Sequence, residues 1–343
     1  MTESLFHNRR AFQLENDILR VTVLAEGGHI AEVLHKGAGV NPLWIPPWPS
    51  LEPSMWDPSI HESYGNDVES RLLAGIMGHN LCLDLFGGPS EEEAAAGITV
   101  HGEAPVALYD FSGDAASMTQ SAVFTHSRLS FERRLELEGS VVRVTETVEN
   151  LAALDRPIAW TQHVTLGPPF VERGRTQFRS PATRSMVIEY DFTGGRGAQK
   201  TGAEFDWPLC PRRDGGVIDL RVYPDAPVSA GYTAHLMDPR REEAYFLVWR
   251  EGLLFGYVWR RADFPWLGRW EENHCRTHAP WNGGALTCGM EFGVSPMPET
   301  RKRMIERGSL FGVPGFRWIP ARTRVTVHYR IVVELAEAIP DGP

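Results

Sequence analysis

Cysteine is scarce in this chain. Cys82, Cys210, Cys275 and Cys288 are the only four, scattered and without a Cys-x-x-Cys pair. No Asn-x-Ser/Thr acceptor for N-glycosylation occurs either. Together these absences argue against a disulfide-stapled secreted scaffold and point to free thiols in the cytoplasm. No apolar run approaches the roughly 20 residues of a spanning helix, so no membrane association is expected. The first ten residues, Met1 to Arg10, lack the apolar core of a signal peptide. Positive charge is in deficit, with 34 Lys and Arg against 44 Asp and Glu and a net charge of −10. Nucleic acid is therefore not an expected partner, because phosphate binding needs clustered cations. The nearest basic run, Arg301-Lys302-Arg303, is followed by Glu306 and reads as the solvated side of a short helix.

Familiar catalytic and cofactor signatures are missing as well. There is no P-loop, dinucleotide fingerprint, Gly-x-Ser-x-Gly elbow or His-Glu-x-x-His. Gly194-Gly195-Arg196-Gly197 lacks the strand–loop–helix setting that cradles phosphate, so no cofactor is expected. His274, Cys275 and His278 have the types and spacing of metal ligands, but no fourth ligand is evident and Pro280 ends the segment. A set drawn from His61, His79, His101 and His163 is the more serious metal alternative; the preferred reading has no metal.

What the chain does contain is strand pattern. Ile18 to Leu24 and Ile30 to His35 flank Glu26-Gly27-Gly28 and predict a hairpin. Strand and turn are nearly continuous from Val106 to Leu166, with Glu138-Gly139-Ser140 as a compact turn. Phe131, Arg133, Leu135 and Leu137 fall on one side of their strand, with charged partners on the other, predicting an antiparallel sheet with one wetter face. Further strands are predicted at Gly216–Val222, Gly231–Met237, Ala244–Arg250, Leu253–Arg260, Ala285–Phe292 and Thr323–Glu334. The best helix candidate is Pro298 to Arg307, stopped by Gly308. Residues 40–70, 191–216 and the Phe264–Asn273 stretch read as loop-rich. With no internal repeat or linker, the pattern predicts one all-β domain over residues 5–338, a large antiparallel two-sheet sandwich.

Three islands each place an ionisable side chain on a strand-like stretch: His101-Gly102-Glu103, Trp160 to Thr165, and Cys288 to Phe292. Side chains alternate across a strand. Glu291 should therefore share a face with Thr287, Gly289 and Gly293, so that two glycines keep bulk away from its carboxylate. His163 should share a face with Thr161 and Thr165, opposite Trp160, Val164 and Leu166. Among the eleven tryptophans, those of the Phe264–Asn273 stretch are placed to line a cleft, where flat rings suit sugar faces and nearby Glu271 and Glu272 suit hydroxyls.

The Gly27-Gly28-His29-Ile30 hairpin, the His101-Gly102 island, the strand ending in His163 and the late strand carrying Glu291 resemble the galactose mutarotase-like superfamily, which includes the aldose 1-epimerases. The resemblance implies a β-supersandwich in which Glu291 acts as base and His163 as acid. It also implies that His101 helps to bind the sugar. His79, Asn80, Trp270 and Glu271 complete the expected substrate contacts. The chain departs from the family in reading His-Gly-Glu rather than His-Gly-Gly, and Gln162 stands before His163 where an asparagine is usual. The family's sugar-contacting arginine and aspartate have no evident counterpart.

The implied activity is interconversion of sugar anomers by general acid–base catalysis, with glutamate and histidine on facing walls several ångströms apart. The partner would be a small carbohydrate, and the assembly a monomer or homodimer. Alternatives are a non-catalytic carbohydrate-binding protein, or a polysaccharide lyase or glycoside hydrolase on the same fold. A hydrolase needs a second carboxylate about 5–10 Å from the first; Glu103, Glu271 and Glu272 are the candidates.

Overall fold

The computed structural model describes residues 1–343. It is built from two large antiparallel sheets, one of twelve strands and one of eight. At the middle of the larger sheet lie, in spatial order, His79–Asp84, Arg156–Leu166, Leu286–Gly293, Trp266–Asn273 and Ser229–Met237. The N-terminal hairpin strands Leu19–Leu24 and Ile30–His35 extend it on one side. The smaller sheet places Glu243–Arg250, Leu253–Arg260, Arg324–Leu335, Val141–Asn150 and Leu129–Glu138 side by side.

The two sheets close on one apolar core. Trp160, Val164, Leu166, Met290 and Phe292 of the larger sheet pack with Phe131, Val144, Phe246, Tyr257, Trp259 and Ile331 of the smaller. Each large side chain buried this way contributes about 1.5–3 kcal/mol relative to exposure. Alternation then fixes the opposite face of each strand. Since Trp160, Val164 and Leu166 point into the sandwich, Thr161, His163 and Thr165 must point away from it.

The outer face of the larger sheet is not open to water everywhere. A second apolar cluster, including Cys82, Phe86, Tyr232 and Trp266, and a third, including Trp44, Leu72, Leu73 and Trp281, cover it in patches. The loop of residues 40–70 and the short helix Ser70–Gly75 form much of the third patch, and Phe192 packs on the second. The rest of residues 191–216, expected as a loop, carries the short strands Glu204–Asp206 and Leu209–Pro211.

Several sequence expectations need correction. Phe264–Asn273 is not loop: Trp266–Asn273 is a central strand paired over its whole length with Leu286–Gly293. Charge at Arg269, Glu271 and Glu272 disguised it, because these groups are paired or capped internally rather than hydrated. Strand at Gly216–Val222 shrinks to Val217–Asp219, which pairs only with Leu209–Pro211. The late helix begins at Arg301, with the Thr300 hydroxyl accepting from the Arg303 amide, and Gly308 ends it at φ 67°. Arg301 is not on its solvated side: its guanidinium forks onto Asp84 at 2.9 and 2.7 Å and reaches Glu93.

Arg133 does lie on the face of Phe131 and Leu135, and that face is the interior. It is fully buried and donates to Glu146 at 2.7 Å, to the Gly28 carbonyl and to Gln162. No helix is long and apolar enough to cross a membrane. All four cysteines are unpaired.

Candidate active site

The register of the two central strands sets His163 opposite Glu291. Both leave the sandwich on the outer face, and His163 Nε2 lies 3.1 Å from Glu291 Oε1. The expectation of facing walls is corrected here: the two groups are cross-strand neighbours on one floor, because antiparallel pairing brings opposed side chains to about 5 Å at Cβ. The glycine reading is retained with a sharper cause. A Cβ on Gly289 would come within 2.4 Å of Glu291 Oε1, so glycine is what leaves the carboxylate its place. On Gly293 it would strike the Thr161 hydroxyl at 2.4 Å.

The electrostatics follow from burial. Nothing cationic is hydrogen-bonded to Glu291, and burial alone pushes its carboxyl up to about 8. Burial likewise pushes His163 well below the usual imidazole range, with His101 nearby adding to the effect. At neutral pH the pair therefore holds one proton, on Glu291, beside a neutral imidazole. The Nδ1 of His163 is 2.9 Å from the Thr165 hydroxyl, which orients the ring.

His101 joins them from a loop, with ring centroids 5.0 Å from His163. Its backbone sits at φ 70° and the next residue, Gly102, at φ 88°. A Cβ there would come within 2.4 Å of the Leu83 carbonyl, so the loop can press against the strand only with glycine. Nδ1 of His101 donates to the Phe86 carbonyl at 2.6 Å. Burial pushes the ring down to about 4, so Nε2 is a free acceptor.

These three groups line a cavity of about 360 Å³. Trp270 stands beside His163, with ring centroids 6.0 Å apart. Trp281, Phe192, Tyr190, Tyr232 and Phe86 form the remaining aromatic wall. The Arg276 guanidinium lies 4.6 Å from the centre of Trp281 and 5.6 Å from that of Trp270. It also stands 3.8 Å from Glu69 and 3.6 Å from Glu272.

Not every expected contact is here. His79 points into the sandwich, with Nδ1 3.0 Å from the Tyr257 hydroxyl and Nε2 2.9 Å from Gln162. Its register partner is Val164, an inward residue, which decides the matter. Asn80 is opposite His163 in register and shares the site's face, but it is fully buried and does not line the cavity.

Glu271 lies on the inward face of its strand, ion-paired with Arg269 at 3.0 Å and accepting from Ser229. Glu272 caps the backbone amides of Cys275 and Arg276. Glu103 caps those of His126 and Ser127. None of the three lines the cavity. Of the tryptophans expected at a cleft, Trp270 lines the cavity, whereas Trp266 is fully buried in the neighbouring apolar cluster.

The proposed metal sets do not assemble either. His274 Nδ1 is engaged with the Gly283 carbonyl, and the Asp57 amide donates to His61, which does not line the cavity. No group of three or more His, Cys, Asp or Glu is arranged to hold an ion.

Sequence reasoning missed Arg276, Glu69, Tyr190 and Phe192. All four come from loops or a helix cap, where no period announces which way a side chain faces.

No family model matches the chain, and no curated protein sequence matches it. Solved structures do. A candidate aldose 1-epimerase from Klebsiella pneumoniae superposes with a TM-score of 0.68 at 12% identity, over 96% of this chain and 80% of its own. A galactose mutarotase-like protein from Clostridium acetobutylicum gives 0.63 at 13% identity, over 98% of each chain. A galactose mutarotase related enzyme from Lactobacillus acidophilus gives 0.60 at 12%, over 95% of this chain and 99% of that one. At such identities the likeness concerns the backbone, and it agrees with the two antiparallel sheets traced above: this protein has the galactose mutarotase-like β-sandwich fold.

Proposed function

We propose that this protein is an aldose 1-epimerase-like isomerase that interconverts the anomers of a sugar by general acid–base catalysis. The observation that carries the reading is the Glu291–His163 pair, 3.1 Å apart on the floor of an aromatic-walled cavity. Mutarotation needs one group to take the proton of the anomeric hydroxyl and another to give a proton to the ring oxygen. The bond between C1 and the ring oxygen then breaks to leave an open-chain aldehyde. Rotation about C1–C2 and return of both protons close the ring as the other anomer. The chemistry calls for no cofactor.

The resting pair departs from the base and acid roles the resemblance implies. Glu291 holds the proton and His163 is neutral, so Glu291 is the ready donor and His163 the ready acceptor. Their shared hydrogen bond lets the proton pass to the imidazole, and because closing reverses opening, each group serves both ways within one cycle. Burial brings the Glu291 carboxyl nearer neutrality than an exposed carboxylate, which suits proton transfer in both directions. Trp270 offers a ring face, and His101 Nε2, Arg276 and Glu69 offer the polar contacts. The unpaired thiols fit a cytoplasmic setting.

The test is anomer exchange followed by NMR or polarimetry over a panel of aldoses. Glu291→Gln and His163→Asn should each slow exchange by roughly 10²–10⁴-fold, the scale of one acid–base contribution. Sugars that bind yet equilibrate no faster than in buffer would make the protein a carbohydrate-binding module instead.

A further inference from the structure

The composition of the cavity wall restricts what kind of sugar can sit there. Of its twenty lining residues, twelve are hydrophobic. The charged or titrating side chains are Glu69, His101, His163, Arg276 and Glu291. The neutral polar groups are confined to the aromatic wall, where the Tyr232 hydroxyl already donates to the Pro296 carbonyl and the Tyr190 hydroxyl and Trp281 indole N–H remain. No Ser, Thr, Asn, Gln, Asp or Lys lines it. A site for a fully hydroxylated hexose ordinarily carries such neutral donors and acceptors, since each hydroxyl brings both functions. Here His163 and Glu291 are committed to the anomeric centre, and one nitrogen of His101 is taken by the Phe86 carbonyl.

Part of the wall is aliphatic. Leu72 and Leu73 come from the helix Ser70–Gly75, Ile76 follows at its end, and Val68 and Val100 flank them. Leu72, Leu73 and Ile76 are 3%, 5% and 7% exposed, packed against Trp44 and Trp281, so the small surface they turn to the cavity is apolar. A sugar hydroxyl pressed against it would lose its water without gaining a partner. A methyl group or hydrogen in the same place would lose nothing.

Charge points the same way. Arg276 is the one permanent cation of the cavity, and Glu69 at 3.8 Å and Glu272 at 3.6 Å already oppose it. A phosphate dianion would meet that arginine only in competition with two carboxylates.

Resting on the isomerase reading of the cavity, we propose that its substrate is an uncharged deoxyaldose, a pyranose with methyl or hydrogen where common hexoses carry hydroxymethyl or hydroxyl. The anomeric centre lies over His163 and Glu291, one ring face against Trp270, and the deoxygenated edge against Leu72, Leu73 and Ile76.

The experiment uses matched sets: 6-deoxygalactose, galactose and galactose 6-phosphate, and the corresponding three mannose compounds. Exchange is read as kcat/KM by NMR saturation transfer on the wild type. Affinity is read separately by ligand-observed NMR on Glu291→Gln. The deoxy member of each set should lead its parent by roughly 10–100-fold, the discrimination a pocket achieves when a polar group would be stranded, and the phosphates should rank last. Val100→Thr, which adds a hydroxyl at nearly constant volume, should shrink the deoxy-to-parent ratio several-fold.

Equal or reversed ranking with normal exchange overturns the substrate class and leaves the isomerase reading standing. Preferential binding of the deoxy sugars without faster exchange does the opposite. Failure of every aldose to bind overturns both.

Discussion

Gln162 and His163 are neighbours in the chain and belong to two different kinds of buried polar cluster. Gln162 faces inward, where its amide donates to Glu146 at 2.6 Å and its oxygen accepts from His79 and Arg133 at 2.9 and 3.2 Å. Glu146 collects donors from Arg133, Trp160, Gln162 and Tyr329, so both of its oxygens are fully occupied. His163 faces outward, beside a carboxyl with no cation bonded to it and an empty volume in front. The first cluster is saturated and has nothing left to offer a ligand. The second is desolvated and under-bonded, which favours the uncharged form of each group. Buried charge alone does not distinguish a site; the unfilled hydrogen-bonding capacity does.

The comparison breaks most sharply at Glu146. Glu146→Ala should destabilise the fold by about 3–5 kcal/mol, because Arg133 is left as an uncompensated buried charge. Urea denaturation measures it; a loss below about 1 kcal/mol would mean the inner cluster is as loosely held as the outer one. Glu291→Gln should act with the opposite sign, stabilising the protein by about 1–3 kcal/mol at pH 7 while removing anomer exchange, since it deletes a carboxyl whose ionised form the fold opposes.

The pH dependence sharpens the same contrast. Glu291 titrates near 8 when folded against 4.5 in the reference state, so the folded chain holds more protons between those values. Stability from this group is full below 4.5 and is lost as pH rises through about 8. His163 is shifted downward and works the other way on the acid side, leaving the window from about 6.5 to 8 to Glu291. The stability advantage of Glu291→Gln over wild type should therefore grow across that window by about 1–2 kcal/mol. Thermal melts at several pH values test it, and a flat difference would show that Glu291 is ionised in the folded state.

Gly289→Ala probes the outer pair by displacement. The added methyl must move the Glu291 carboxylate, and a misplacement of this order should lower exchange by about 10²-fold with sugar affinity little changed. The smallest effect belongs to the sealed cluster. Tyr257→Phe removes one hydroxyl from His79 and should cost about 1 kcal/mol of stability without altering sugar affinity. A large loss of affinity there would join the two clusters into one functional unit.

The sequence by itself determined much of this through period two. Alternation set Trp160, Val164 and Leu166 opposite His163, and it put Glu291 on a clear face with Gly289 and Gly293 before any pairing was known. It failed where its local signal was ambiguous. Charge on Arg269, Glu271 and Glu272 made a central strand look like loop, since composition cannot tell an internally paired charge from a hydrated one. His79 and Asn80 were both expected at the site, but Asn80 and not His79 is the register partner of His163.

Only the tertiary structure decided that Glu291 and His163 are adjacent rather than facing, because strand register is a property of two segments and neither carries it alone. Only it brought Arg276, Glu69, Phe192 and the aliphatic wall of Leu72, Leu73 and Ile76 over that floor. Loop side chains have no repeating period, so their direction is fixed by what the folded chain leaves room for.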